Sequence, residues 1–167
     1  MTTQEVIVRY IQDAEAAERN FEDTLMTFST TGEQNAVKSM FEAASRRAKT
    51  QHQRLEARLR ELGGEPSTAK SILAHTLAMA PTLAQIGHEG AEKNTQHLIA
   101  CIGAASAEMA MYESLACVAA AAGDAQTEAL ARELQQEEKD DWNKSWALLR
   151  SSAESAFQTV LARKAGA

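Results

Sequence analysis

Proline and aromatic residues are scarce: two prolines in 167 residues, with Phe, Trp and Tyr together at 5%. An alanine-rich chain with so few helix breakers and so few strand-favouring side chains is expected to form long helices, not sheets. Cysteine is limited to Cys101 and Cys117. Both fall in one predicted helix, roughly 24 Å apart at ~1.5 Å rise per residue, so they cannot bridge each other. Two free thiols suit a reducing compartment, and each reads as a small buried core residue. No stretch comes near the roughly 18 uninterrupted apolar residues of a membrane span. The opening MTTQEVIVRY lacks a basic start followed by an apolar run, so no signal peptide is expected and the expected location is the cytoplasm. Positive charge is in deficit, 17 basic against 23 acidic residues for a formal −6, with no basic stripe. Nucleic acid and anionic membranes are therefore not expected partners.

Motifs are missing too. There is no glycine-rich phosphate loop, no Cys-x2-Cys pair and no His-Glu-x2-His run. His52, His75, His88 and His97 are scattered and form no spaced pair. Nothing supports a Ser or Cys nucleophile arrangement.

What is present is a chain long enough to bury a core, 44% hydrophobic, and expected to form one domain over residues 1–167. Turn signals divide it: Thr30-Thr31-Gly32, then Gly63-Gly64 with Pro66, then Gly87 to Gly90, then Gly123-Asp124. Thr2 with Glu5 and Thr31 with Gln34 read as capping boxes, Ser67 as an N-cap and Gly63 as a helix stop. The predicted helices span about 3–29, 33–62, 91–122 and 125–163. Segment 67–88 is helical in character but interrupted by Pro81. Two short links and one long middle connection describe two helical hairpins joined by a crossover. The fold class expected is an all-α, ferritin-like four-helix bundle whose crossover carries short extra helices.

Helical periodicity assigns each helix a buried face. Three of these faces contain acids: Glu18 beside Ala14 and Phe21 in the first helix, Glu108 beside Ala105 and Tyr112 in the third, and Glu137 with Asp141 beside Leu134 in the fourth. A buried ionised carboxylate is costly unless it is paired, protonated or bound to metal. Each acid taken singly could reach solvent at a seam between helices. The same feature on three helices at one level points to a shared centre, and oxygen ligands on facing helices suit iron or manganese. The second helix offers Arg47, Gln51 and His52 at that level. Arg47 is a fixed cation and cannot ligate metal, but it can neutralise an acid in a metal's place. Gln51 and Tyr112 are the other candidates for compensating the buried charge. The fourth helix supplies no histidine.

At these residues the sequence resembles the YciE/YciF-type family of bacterial stress-associated proteins, over nearly the whole chain. The first helix, YIQDAEAAERNFEDTL, matches the family's acidic first helix at Asp13 and Glu18. HQRLEARLRELGGEPS is similar to the family's Arg-Leu-Glu run before a glycine break. AEMAMYESL carries Glu108 and Tyr112, the second Glu and the Tyr of the family's third-helix motif, and LQQEEKDD carries Glu137 and Asp141 in its acidic run. Three positions depart from the pattern: Arg46 and Arg47 replace second-helix acids, and Ala105 replaces the first third-helix Glu. The resemblance implies a ferritin-like bundle and no defined reaction.

Three functions follow. The expected one is a stress-associated bundle with a degenerate carboxylate centre, no working oxidase site and no cofactor. The alternatives are an iron- or manganese-binding di-metal store or redox enzyme using Glu18, Glu108, Glu137 and Asp141, and a structural interaction module. The missing second- and third-helix ligands favour the first. The fourth helix also carries a second apolar stripe, Trp142, Trp146, Leu149, Ala153, Phe157 and Val160. Either segment 67–88 or a second subunit must cover it. A two-fold homodimer is expected, with Ile72, Leu73, Leu77 and Met79 of the crossover sharing the cover.

Overall fold

The computed structural model describes residues 1–31, 34–68 and 90–165. Four long helices account for nearly all of them: α1 (Thr3–Thr31), α2 (Asn35–Glu61), α3 (Lys93–Ala122, preceded by a 3₁₀ turn at Gly90–Glu92) and α4 (Ala125–Ala165). There is no strand among the described residues. Of the segment 67–88 expected to be helical, everything from 69 onward, with the Pro81 break and the histidines at 75 and 88, lies outside them.

The ends are made as local chemistry dictates. Thr2 and Glu5 form the expected capping box, the Thr2 amide donating to Glu5 and the Glu5 amide to Thr2 Oγ1. Gly63 takes φ +69° and Gly123 φ +75°, the left-handed conformation that stops a helix. At each, the following amide reaches back to close the last turn: Gly64 to the Leu59 carbonyl and Asp124 to that of Ala119. Asp124 then caps α4 through the Thr127 amide at 3.0 Å. The second expected capping box does not form. Thr31 remains in α1 with its hydroxyl on the Thr27 carbonyl. Helix α2 begins two residues later than expected, at Asn35, and Gln34 makes no side-chain cap.

Two apolar clusters show how the helices run. One gathers Ile7 and Ile11 of α1, Leu55 and Leu59 of α2, Leu115 of α3 and Leu134 of α4. The other gathers Phe21, Leu25 and Phe28 of α1, Val37 and Phe41 of α2, and Leu98 and Cys101 of α3, with Leu148 of α4 against them. Helix α1 thus runs from the first end to the second, α2 back, α3 again from second to first, and α4 back. The α2–α3 connection must travel the length of the bundle, which is the ferritin-like topology.

By length and composition alone, Gly90–Ala122 is apolar enough to cross a membrane, although polar residues such as His97, Ser106 and Glu108 interrupt its apolar run, as expected from the sequence. Its Leu98, Cys101, Ala105, Tyr112, Leu115 and Ala119 are buried among the other helices. Cys101 is buried as expected, but Cys117 is exposed, one position past the buried Leu115 and Ala116.

Candidate functional site

Between the two apolar clusters lies a polar layer. Glu18, Gln51, Glu108 and Glu138, one from each helix, are all nearly inaccessible to solvent. One oxygen from each of Glu18, Glu108 and Glu138 lies within 4.8 Å of the others. Tyr112, one turn beyond Glu108, donates its buried hydroxyl to Glu18 Oε1. Gln51 donates to Glu138 Oε1 at 2.9 Å. The second oxygen of each acid, Oε2 of Glu18, Glu108 and Glu138, is buried with no hydrogen-bond partner.

Burial dictates the protonation of this layer. Glu18 is pushed well above the usual carboxylate range, first by desolvation and then by the charge of Glu138. Glu108 is pushed up in the same way, by desolvation and then by Glu18. Glu138 is raised to about 7, again mainly by desolvation, with the Gln51 hydrogen bond opposing the rise. The Tyr112 hydroxyl is raised well above 10.0, since its anion would be desolvated beside Glu18 and Glu108. Without a cation, protons hold the charge of this layer down.

The fourth-helix acids divide differently from the sequence expectation. Glu137 leaves the core: its side chain is 37% exposed and accepts from Arg54 at 2.8 Å, on the α2–α4 seam. Its neighbour Glu138 takes the place in the layer. The buried positions among the described residues of α4 are Thr127, Ala131, Leu134, Glu138, Asp141, Ser145, Ser152 and Ala156; from Thr127 to Ser145 they alternate steps of four and three, so that Glu138 is the in-phase residue after Leu134. Asp141 is buried but stands outside the trio. Arg47 Nε donates to it at 2.7 Å and Lys144 Nζ at 3.1 Å. Arg47 therefore neutralises Asp141, not Glu18 or Glu108. Ala105 is fully buried on α3, one turn before Glu108.

Sequence reasoning also missed Glu15, which is fully buried on α1 and raised by desolvation, with Arg19 opposing the rise. Arg19 bridges Glu15 to Glu56 on α2. The available signal was the pairing of Glu15 with Arg19 at i,i+4. His52 is not in the layer either: its Nδ1 lies 3.1 Å from Glu22 Oε2 across the α1–α2 seam. His97 stacks on Phe28 with ring centroids 4.0 Å apart, inside the second apolar cluster.

A four-helix bundle with one long crossover and a carboxylate from three of its helices meeting at mid-length is a ferritin-like protein with a buried acidic centre. Within that class, residues 2–157 match the family described as a domain of unknown function, DUF892. The chain belongs to this family, the YciE/YciF type. Solved structures agree in fold. The Escherichia coli stress protein YciF is 18% identical, with a TM-score of 0.81 over 92% of this chain and 98% of that one. A protein of Xanthomonas campestris pv. campestris is 16% identical, with a TM-score of 0.80 over 96% and 99%. YcfI of Rhodopseudomonas palustris is 18% identical, with a TM-score of 0.72 over 87% and 93%. No curated protein matches the chain by sequence.

Proposed function

We propose that this protein is a divalent-cation-binding bundle, taking one manganese or ferrous ion per chain between Glu18, Glu108 and Glu138, and that it has no two-metal oxidase centre. The observation that carries this reading is the buried trio itself: one oxygen from each of three acids on three helices lies within 4.8 Å of the others, and each acid has an oxygen with no hydrogen-bond partner. A hard cation bound at about 2.1 Å keeps its ligand oxygens within about 4.2 Å of one another, so small side-chain rotations close the set. The ion would replace the protons that otherwise neutralise the layer.

Residues around the trio argue for one ion. Gln51 is neutral and its amide nitrogen faces Glu138. Asp141 is already neutralised by Arg47 and Lys144. Ala105 has no donor atom where a further ligand would stand. Tyr112 and Gln51 orient one oxygen of Glu18 and one of Glu138, leaving the other oxygen of each for the cation. Such a site stores or senses an ion, or rigidifies the bundle around it.

Titrating chelator-stripped protein with manganese chloride, followed by the electron paramagnetic resonance of free manganese, tests this. One site per chain is expected. Glu18→Gln, Glu108→Gln and Glu138→Gln should each weaken it by about tenfold or more. Two equivalents per chain would restore the di-metal alternative. None would leave the degenerate centre or the structural module.

A further inference from the structure

A cation bound in the layer must cross a helix seam to reach it, since Glu18 and Glu108 are closed to solvent. The seams differ in what they present at this level. On the α2–α4 seam, Arg47 sits on Asp141, and Arg54 on Glu137 and Glu133. Both guanidinium side chains are only 30% exposed and held by their acids, so they fill the seam. On the α3–α4 seam the Trp142 indole spans to Ser106, its N–H donating at 3.1 Å.

The α1–α2 seam is different. Glu22 lies one turn beyond Glu18 on α1, and His52 follows Gln51 on α2. Their side chains are 21% and 13% exposed, open to solvent where Glu18 is not. His52 Nδ1 and Glu22 Oε2 face each other at 3.1 Å, but the nitrogen makes no hydrogen bond. Two ligand atoms each about 2.1 Å from one cation and at right angles are about 3 Å apart, so the pair is already spaced to hold an ion. The nearby cations leave it accessible. Lys49 is 59% exposed and reaches Glu22 only at 4.0 Å, while Arg19 is held by Glu15 and Glu56. Among the described residues no other imidazole faces a carboxylate, since His97 lies flat on Phe28.

We infer that Glu22 and His52 form the transit site through which a divalent cation passes from solvent to the Glu18/Glu108/Glu138 layer. This rests on the reading of that layer as the resident site. The pair supplies two ligands to an ion that is losing its hydration shell, and Glu18 stands one helical turn from Glu22 on α1.

The test is the rate of manganese loading into stripped full-length protein, by rapid mixing, with the number of ions bound at equilibrium measured alongside. Glu22→Gln with His52→Gln keeps both side chains polar and similar in size while removing the carboxylate charge and the imidazole ligand. Loading should slow by about tenfold, with the wild-type equivalents still bound at equilibrium. Lys49→Glu, at an exposed position, adds an acid at the mouth and should speed loading severalfold. Wild-type protein that loads, together with a double variant that loads at the same rate, overturns the transit site alone. A double variant that binds fewer ions at equilibrium also overturns it, by making the pair part of the resident site. Wild-type protein that takes up no manganese overturns the resident site, and the transit site with it.

Discussion

Tyr112 and Arg47 are single residues on which buried acids depend. Tyr112→Phe leaves Glu18 Oε1 without its donor. Urea denaturation of the metal-free protein should show a loss of about 1–3 kcal/mol, the cost of a stranded buried acceptor. Arg47→Met leaves Asp141, 7% exposed, with Lys144 alone, and should cost about 3 kcal/mol. Arg150→Ala breaks an ion pair whose partners are 89% and 64% exposed, and should change stability by less than about 0.5 kcal/mol. A loss at Arg150 as large as at Arg47 would contradict the role of burial. Two buried groups also impose opposite pH dependence. Glu138 is raised from 4.5 to about 7. The folded chain thus holds a proton the unfolded chain has released, and metal-free stability falls as pH rises from 4.5 through 7. His97 is lowered from 6.5 to about 4, chiefly by desolvation. The unfolded chain takes up its proton first, and stability falls as pH drops from 6.5 toward 4. Each slope approaches about 1.4 kcal/mol per pH unit. Glu138→Gln should lessen the first decline, which the raised Glu18 and Glu108 share, and His97→Gln the second. Unchanged pH profiles in these variants would refute the assignments.

At the scale of elements, the α3–α4 corner is the most informative. Gly123 holds φ +75°, and a β-carbon there would meet nothing within 4 Å. Gly123→Ala should therefore cost only backbone strain, about 1–2 kcal/mol. Asp124 does more than cap α4, because Arg58 of α2 donates to both its oxygens at 2.8 Å, tying the corner to the neighbouring hairpin. Asp124→Ala should cost more than Gly123→Ala in thermal melts, since it removes a cap and takes from Arg58, only 11% exposed, one of its two acidic partners, leaving Glu61. A smaller loss at Asp124 than at Gly123 would show that the tie contributes little.

For the whole molecule, the open question is the outer face of α4. The sequence places a second apolar stripe there. Trp142 and Trp146 stack with centroids 4.9 Å apart, while Trp146 and Phe157 are 55% and 59% exposed and nearby Ile99 is 50% exposed. The crossover residues expected to share the cover, Ile72, Leu73, Leu77 and Met79, lie outside the described residues. A two-fold dimer through this face remains our proposal. Light scattering at micromolar concentration should give twice the 18.1 kDa chain mass, and Trp146→Glu with Phe157→Glu should halve it. A wild-type monomer would rule the dimer out.

Helix positions follow from local features: the Thr2–Glu5 box, the two left-handed glycines, and apolar repeats long enough to fix α1, α2 and α3 in phase. The ferritin-like order followed from one long connection between two short ones. Glu18 and Glu108 could also be read as layer residues, because each has unambiguous apolar neighbours three and four positions away. The fourth helix was not legible in the same way. In QQEEKDD, Glu137 and Glu138 are adjacent and chemically identical, and a phase shift of one residue exchanges core for seam. Only packing against α2, where Arg54 meets Glu137 and Gln51 meets Glu138, decides between them. Arg47's choice of Asp141, and the face-to-face approach of Glu22 and His52, are likewise tertiary. They depend on the rotation of α2 against α1 and α4, which is set by the whole core and not by any local run of sequence.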